Sequence, residues 1–404
     1  MQRADTIILG GGLVGLTLAL ALDRHGVGSI VVDPADPEKT LAPQYDGRAT
    51  AISSTSWHML QAIGVGERLE GQGCPIRSIK VSEGLKPGGI AFDSPDAEDP
   101  LGIMFENRLL RGALRAAALE APNVTLLMPA RADKVVRDDF VARVTLSDGE
   151  ELAAPLLVGA EGRNSPMREQ AGIAVARWNY RHVAIIATIT HARPHGNAAY
   201  ELFYPAGPFA ILPMLPGNRS AIVWSVPEKD APAILDLPDR ALVAEIQKRM
   251  GDFLGPIALA GPRASYKLGF HHAATITSQR LALVGDAAHG IHPIAGQGLN
   301  LGLKDVAALA ECIADSVALG LDPGDVAGLE RYQRWRRFDN VAMALATDFF
   351  DRLFSNDLAP IRVARRLGLG AVNAAGPARR FFMRYAGGAA GDLPKLLRGE
   401  SLAA

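Results

Sequence analysis

Gly10, Gly12 and Gly15 stand at Gly-x-Gly-x-x-Gly spacing, and an acid, Asp33, follows the last of them by 18 residues. Each glycine has its own task in such a turn. Gly10 permits the tight bend, Gly12 lets the backbone approach a pyrophosphate, and Gly15 lets a helix pack closely on a strand. Leu13 and Val14 then open a helix whose unpaired N–H groups face phosphates, while Asp33 accepts hydrogen bonds from ribose hydroxyls. The set points to a dinucleotide without choosing between a flavin and a nicotinamide one. The plainer alternative is a Gly-rich turn in a generic α/β domain, with Asp33 only capping the segment after it.

A second constellation lies far along the chain. The apolar run Leu281-Ala-Leu-Val ends in Gly285-Asp286, and a loop through His289, His292, Pro293 and Gly296 leads to Gly298, Leu299 and Asn300. Asp286, at the C-terminal end of a strand, is placed to bind a sugar-like polyol. A helix starting near Gly298 offers its first N–H groups to negative charge. Reduced flavin carries such charge on its pyrimidine edge, which this helix start would stabilise. The alternative is an ordinary Gly-rich strand–loop–helix link.

These residues need elements to hold them. Ala4 to Leu9 reads as a strand buried on both faces, Leu13 to His25 as a helix closed by Gly26, and Ser29 to Asp33 as a second parallel strand. Ile76 to Asp99 and Val183 to Val226 carry short alternating runs punctuated by Pro and Gly, which predicts an antiparallel sheet. Leu109 to Leu119 reads as a helix and Leu156 to Gly159 as a buried strand, and α/β texture returns at Arg280 to Gly285. The fold class expected is α/β: a discontinuous Rossmann-like domain over 1–75, 100–175 and 273–345, with a substrate-binding sheet over 76–99 and 176–272. A helical extension is expected over 346–404.

Composition narrows the classes further. With 404 residues, 48% hydrophobic and 21% charged, the chain supports two domains with large cores and little disorder. Lys+Arg 42 against Asp+Glu 43 leaves no basic excess for nucleic acid. Cys74 and Cys312 form no CxxC pair, so a reducing, cytoplasmic setting is expected. Thr6 to Leu22 is uncharged but short for a membrane span, and strand, turn and helix explain it better. His289 and His292 lack the companions of a metal site, so no metal is expected. His271 and His272 would point to opposite sides of a strand. Hydrolase and NTPase motifs are absent.

Beside the two constellations, Asp46-Gly-Arg48-Ala-Thr-Ala-Ile-Ser53 and Phe349-Phe-Asp-Arg-Leu-Phe-Ser-Asn356 make the chain resemble the ubiquinone-biosynthesis hydroxylases. These are group A flavoprotein monooxygenases with the 4-hydroxybenzoate hydroxylase fold, and the resemblance covers nearly the whole chain. It implies bound FAD, with NAD(P)H as cosubstrate, and ring hydroxylation of a polyprenylated phenol by a flavin hydroperoxide. It implies that Arg48 and Asn107 help hold FAD, although Arg108 and Arg111 share that helix start. Asp286 would meet the ribityl chain, Leu299 and Asn300 the flavin ring, and the Pro293 carbonyl the reacting oxygen. One departure stands out. Where the family has Asp-Gly serving flavin and nicotinamide, this chain has Glu161-Gly162, one methylene longer.

Three alternatives remain: a same-fold oxidoreductase acting on another phenol, a halogenase, and a flavin-bound subunit of a quinone-synthesis complex without turnover. The halogenase fares worst, because no Trp-x-Trp-x-Ile-Pro is present. Arg365, Arg366, Arg379, Arg380 and Arg384 among apolar residues suit either a helix packed on its own protein or peripheral contact with the inner membrane.

Overall fold

The computed structural model describes residues 1–42, 47–87, 89–94, 99–290, 297–337, 388–389 and 391–402. Asp46, His292, Pro293, Gly296, the 349–356 motif and the arginines from 365 to 384 lie outside them, as does most of the expected C-terminal extension.

The chain opens with strand β1 (Thr6–Leu9), helix α1 (Leu13–Asp23) and strand β2 (Ser29–Val32). Then come β3 (Ala49–Ser53), α2 (Ser54–Ala62), β4 (Cys74–Ile76), β5 (Ser78–Ser82), β6 (Ile90–Asp93) and β7 (Gly102–Glu106). Helix α3 (Asn107–Glu120), β8 (Val124–Leu127), β9 (Leu156–Gly159) and α4 (Pro166–Gln170) come after these. Next are β10 (Val175–His191), β11 (Ala198–Tyr204), β12 (Gly207–Met214), β13 (Arg219–Pro227) and α5 (Asp239–Met250). Then come β14 (Ala264–Ala273), β15 (Leu281–Leu283) and α6 (Gln297–Ala318).

Strands β15, β9, β1, β2 and β8 lie side by side in that order, all parallel, with Thr277–Ser278 antiparallel at the β15 edge. Every residue of β1, β2 and β9 is buried, as short β-branched and leucine runs covered on both faces should be. Helix α1 is buried from Gly15 to Leu22, packed on α3 and α6. That all-round burial explains its uniformly apolar sequence. No described helix is long and apolar enough to cross a membrane. The helix stops at Asp23 rather than His25, because Gly26 takes φ +69° and its N–H turns back to the Asp23 carbonyl.

The second large sheet runs β14, β10, β13, β12, β11, β5, β6, with His289–Gly290 at the β14 edge and Ile257–Leu259 paired to β10. It is antiparallel except at one seam: β5, arriving from the separate 76–99 segment, pairs parallel with β11. One face is covered by α5, which buries Leu242, Ile246 and Met250 against Ile185, Phe209, Ile222 and Trp224. The other face packs Ala199, Ile79 and Leu212 against Ala49, Ala51, Cys74 and Met104 of β3, β4 and β7.

Two features were not expected. Ala132–Arg137, Ala142–Leu146 and Glu151–Ala154 form a small sheet completed by Gln2–Arg3. The chain end also returns to the parallel-sheet half. Leu396 and Leu397 are buried beside α2 and α6, the Lys395 N–H donates to Glu311 Oε2 at 2.8 Å, and Trp335 Nε1–H donates to the Asp392 carbonyl at 2.9 Å.

Candidate functional site

Strand order reverses between β1 and β9: β2 and β8 lie to one side of β1, β9 and β15 to the other. In open α/β sheets the crevice at such a reversal, beyond the C-terminal strand ends, is where ligands bind. Both strand ends here carry glycine turns. Gly10 has φ +107°, and a Cβ there would lie 2.4 Å from the Ala160 carbonyl oxygen. A Cβ on Gly15 would come within 1.9 Å of the Gly10 carbonyl oxygen, so helix and turn close only around glycine. A Cβ on Gly12 would meet nothing, and no side chain caps the helix it precedes. The first N–H groups of α1, at Leu13 and Val14, therefore border open space. Asp33 closes the turn from β2: its Oδ2 accepts the Gly11 N–H at 2.6 Å and its Oδ1 the Ala35 N–H at 2.7 Å.

Across the crevice the Ala160 N–H donates to the Leu9 carbonyl at 2.7 Å, setting Glu161 and Gly162 beside the glycine turn. Glu161 folds back on its own loop. Its Oε2 accepts the Ser165 hydroxyl at 2.5 Å. Burial pushes its carboxyl above the ordinary range, against the pull of the Ser165 hydrogen bond and of Arg168. Arg168, itself buried, donates to the Arg163 carbonyl and to the Ala287 carbonyl, both at 2.8 Å. It ties the Glu161 loop to the turn after β15.

That turn is Gly285–Ala287, and Asp286 is exposed while every other residue from Leu281 to Gly290 is buried. Buried groups grip it from several sides. Asp305 of α6 accepts the Gly285 N–H at 3.0 Å, His289 Nε2–H at 2.6 Å and Arg336 Nε–H at 2.8 Å. The Tyr332 hydroxyl donates to the Leu283 carbonyl at 2.8 Å, and His271 Nε2–H to the Asp286 carbonyl at 2.8 Å. Burial pushes the His271 imidazole down to about 4, so it is neutral at pH 7. Val14 packs on Gly285, where a Cβ would lie 3.1 Å from its Cγ2, so the two glycine turns share one apolar contact.

Helix α6 enters from below. Gly298 opens onto space, and Leu299 is half-buried. The Asn300 side chain bonds β3: its Oδ1 accepts the Ser53 N–H at 2.9 Å and its Nδ2–H donates to the Ala51 carbonyl at 2.8 Å. It fastens the helix start to the strand that follows exposed Arg48. Asn107, buried at the start of α3, accepts the Thr50 hydroxyl at 2.6 Å and donates its N–H to the Arg48 carbonyl at 3.0 Å. His289 pairs with Asp305 rather than with a metal-binding partner, and no cluster of metal ligands occurs among the described residues.

A crevice with two glycine turns, open helix N–H groups, one exposed acid and a half-buried leucine suits a dinucleotide with a polyol chain. Residues 3–346 match the family described as FAD binding domain. The chain belongs to this family. The flavoenzyme is 48% identical over 402 residues to ubiquinone hydroxylase UbiL of Rhodospirillum rubrum, covering 99% of this chain and 94% of that one. It is 36% identical over 392 residues to 3-demethoxyubiquinol 3-hydroxylase of Escherichia coli, covering 95% and 98%. In fold it is similar to p-nitrophenol 4-monooxygenase PnpA of Pseudomonas putida, with a TM-score of 0.79 and 17% identity over 97% of this chain and 99% of that one. The flavoenzyme is an FAD-dependent hydroxylase.

Arg168, Tyr332 and Arg336 escaped the sequence motifs, and His271 drew notice only as one of two adjacent strand histidines. Asp305 had a signal, since it lies five residues after Asn300 on the same helix.

Proposed function

We propose that the flavoenzyme hydroxylates the aromatic ring of a polyprenylated phenol in ubiquinone biosynthesis, using NAD(P)H and O2. The observation that carries this is the 48% identity to a ubiquinone hydroxylase over 99% of the chain. Bound FAD would supply the redox and oxygen chemistry. The chain's residues would hold it: the α1 start from Gly10 to Gly15 at the pyrophosphate, Asp33 at a ribose, and Arg48 and Asn107 along the β3 edge. Asp286 would meet the ribityl hydroxyls and Gly298 to Asn300 the ring, with Gly296 and the Pro293 carbonyl completing that side. Glu161 and Gly162 would serve the nicotinamide step.

The parallel-sheet half would be the FAD domain, over 1–75, 100–175 and 273–345, and the second sheet the substrate domain. A lipid-tailed substrate would bring the enzyme to a bilayer surface or into a quinone-synthesis complex. The test is deletion of the gene followed by mass spectrometry of quinone intermediates. Accumulation of a polyprenylated phenol lacking one hydroxyl is expected, and an unchanged quinone profile would overturn the assignment. Purified holoenzyme given that phenol should consume NAD(P)H and O2.

A further inference from the structure

Strand β11 alternates between two environments. Tyr200, Leu202 and Tyr204 face the α5-covered core, whereas Ala199 packs with Ala49, Ala51 and Leu212 on the opposite face. Glu201 shares the face of Ala199. It stands opposite Ala210 of β12 and Val81 of β5, and the row continues through Val223 and Ile186. It is thus an acid set among small and branched apolar side chains. The elements against this face are β3, which follows directly on Arg48, β4 and β7. Asn300 bonds β3 at Ala51 and Ser53, so Glu201 lies on the side of the sheet turned toward the start of α6.

Among the described residues its half-buried side chain makes no hydrogen bond or ion pair. The other titratable groups on this face and on the elements packed against it are engaged elsewhere or are neutral. Arg219 donates to Glu106 at 2.7 Å and Arg108 to the same carboxylate at 2.6 Å. A His182 ring nitrogen bonds the Tyr180 carbonyl at 2.8 Å, and burial pushes the Cys74 thiol up to about 11. Burial alone pushes the Glu201 carboxyl up to about 7.

We propose that Glu201 is a catalytic base whose carboxylate accepts the proton of the substrate's phenolic hydroxyl. The phenol O–H bond breaks and an O–H bond forms on Glu201. The electron pair stays on the phenolic oxygen and enriches the ring carbons ortho and para to it, where an electrophilic oxygen is accepted. The transfer needs no oxidant or reductant. An ordinary carboxylate, near 4, is a poor base for a phenol near 10, and a carboxyl near 7 narrows that gap. The proposal rests on the function proposed above.

The test uses FAD-loaded enzyme with 2-methoxyphenol carrying one short prenyl chain, and a ring-fluorinated, more acidic analogue. Ultraviolet difference spectra of the oxidised enzyme should show phenolate bound by wild type with a midpoint near pH 7, and neutral phenol bound by Glu201→Gln. Hydroxylation by Glu201→Gln should fall roughly 100-fold or more. Its acid limb near pH 7 should vanish and its FAD content stay unchanged, with the fluorinated phenol recovering part of the loss. Glu201→Asp, still a base, should retain phenolate binding. If Glu201→Gln hydroxylates at the wild-type rate with the same pH limb, or if both variants lose FAD, the base is overturned while the proposed function stands. A wild type that hydroxylates neither phenol overturns both.

Discussion

His289 Nε2 lies 2.6 Å from Asp305 Oδ2, and the same carboxylate oxygen receives the Gly285 N–H. One buried acid thus holds both ends of the turn that presents Asp286. Arg336 occupies its other oxygen. Asp305→Ala would take away the carboxylate that the buried Arg336 guanidinium bonds, a loss of roughly 3 to 5 kcal/mol. Stability to urea and FAD content should fall together in this variant; unchanged values of both would show that the triad does not hold the turn.

The same carboxylate predicts an acid-sensitive step. Burial opposes its ionisation, but His289 and Arg336 together hold its carboxyl below the usual range. A depressed value contributes stability that is present above the unfolded value of about 3.9 and is lost as pH falls through the lower folded value. Flavin fluorescence should therefore rise on acidification below about pH 4. Release that is complete already at pH 6 would assign the event to another group.

Asp286→Ala should lose most of its FAD, because an ionised acceptor for hydroxyls is worth roughly 1.5 to 3 kcal/mol per bond. The protein should keep its fold, since the Asp286 side chain is exposed and the turn is held by its backbone. Absorbance at the flavin band after gel filtration measures this, with full occupancy as the outcome that removes Asp286 from the site.

Arg168→Lys keeps the charge but loses the fork that bonds two carbonyls far apart in sequence, at Arg163 and Ala287. Both loops should loosen, with a several-degree fall in Tm and weaker FAD binding. A Tm equal to that of the wild type would mean that the two loops hold without it.

Glu161→Asp should slow NAD(P)H-dependent flavin reduction several-fold while FAD affinity is kept. The extra methylene lets the carboxylate reach the Ser165 hydroxyl, and Asp would lose that hold. Stopped-flow reduction with phenol present gives the sign: faster reduction would mean the longer side chain is misplaced, and no change would free Glu161 from the step.

The glycine turns and Asp33 were legible because their constraints are local: a backbone that must bend or approach closely leaves glycine at fixed spacing. Asp286 was legible for the same reason, as the exposed end of an apolar run. The grip on that turn was not. Asp305 and Arg336 are 31 positions apart, and Arg168 and Ala287 are 119 apart, so no short window of sequence contains both partners. The sheet of Ala132–Arg137 to Glu151–Ala154 was missed because its strands are short, and exposed Val136 beside buried Val135 breaks the alternation that Val144, Leu146 and Leu152 keep. Glu201 looked like the polar half of an alternating strand; only the sheet order and packing show that its side is turned toward β3, β4 and β7.

The bond from Trp335 to Asp392 joins residues 57 positions apart, and an unfolded chain must bring those two positions together to make it. In polymer terms, the entropy of closing such a loop grows only with the logarithm of its length. Doubling it would cost on the order of 0.6 kcal/mol. The separation along the sequence is therefore a small part of what this contact costs, and both anchors stand beside the parallel-sheet half.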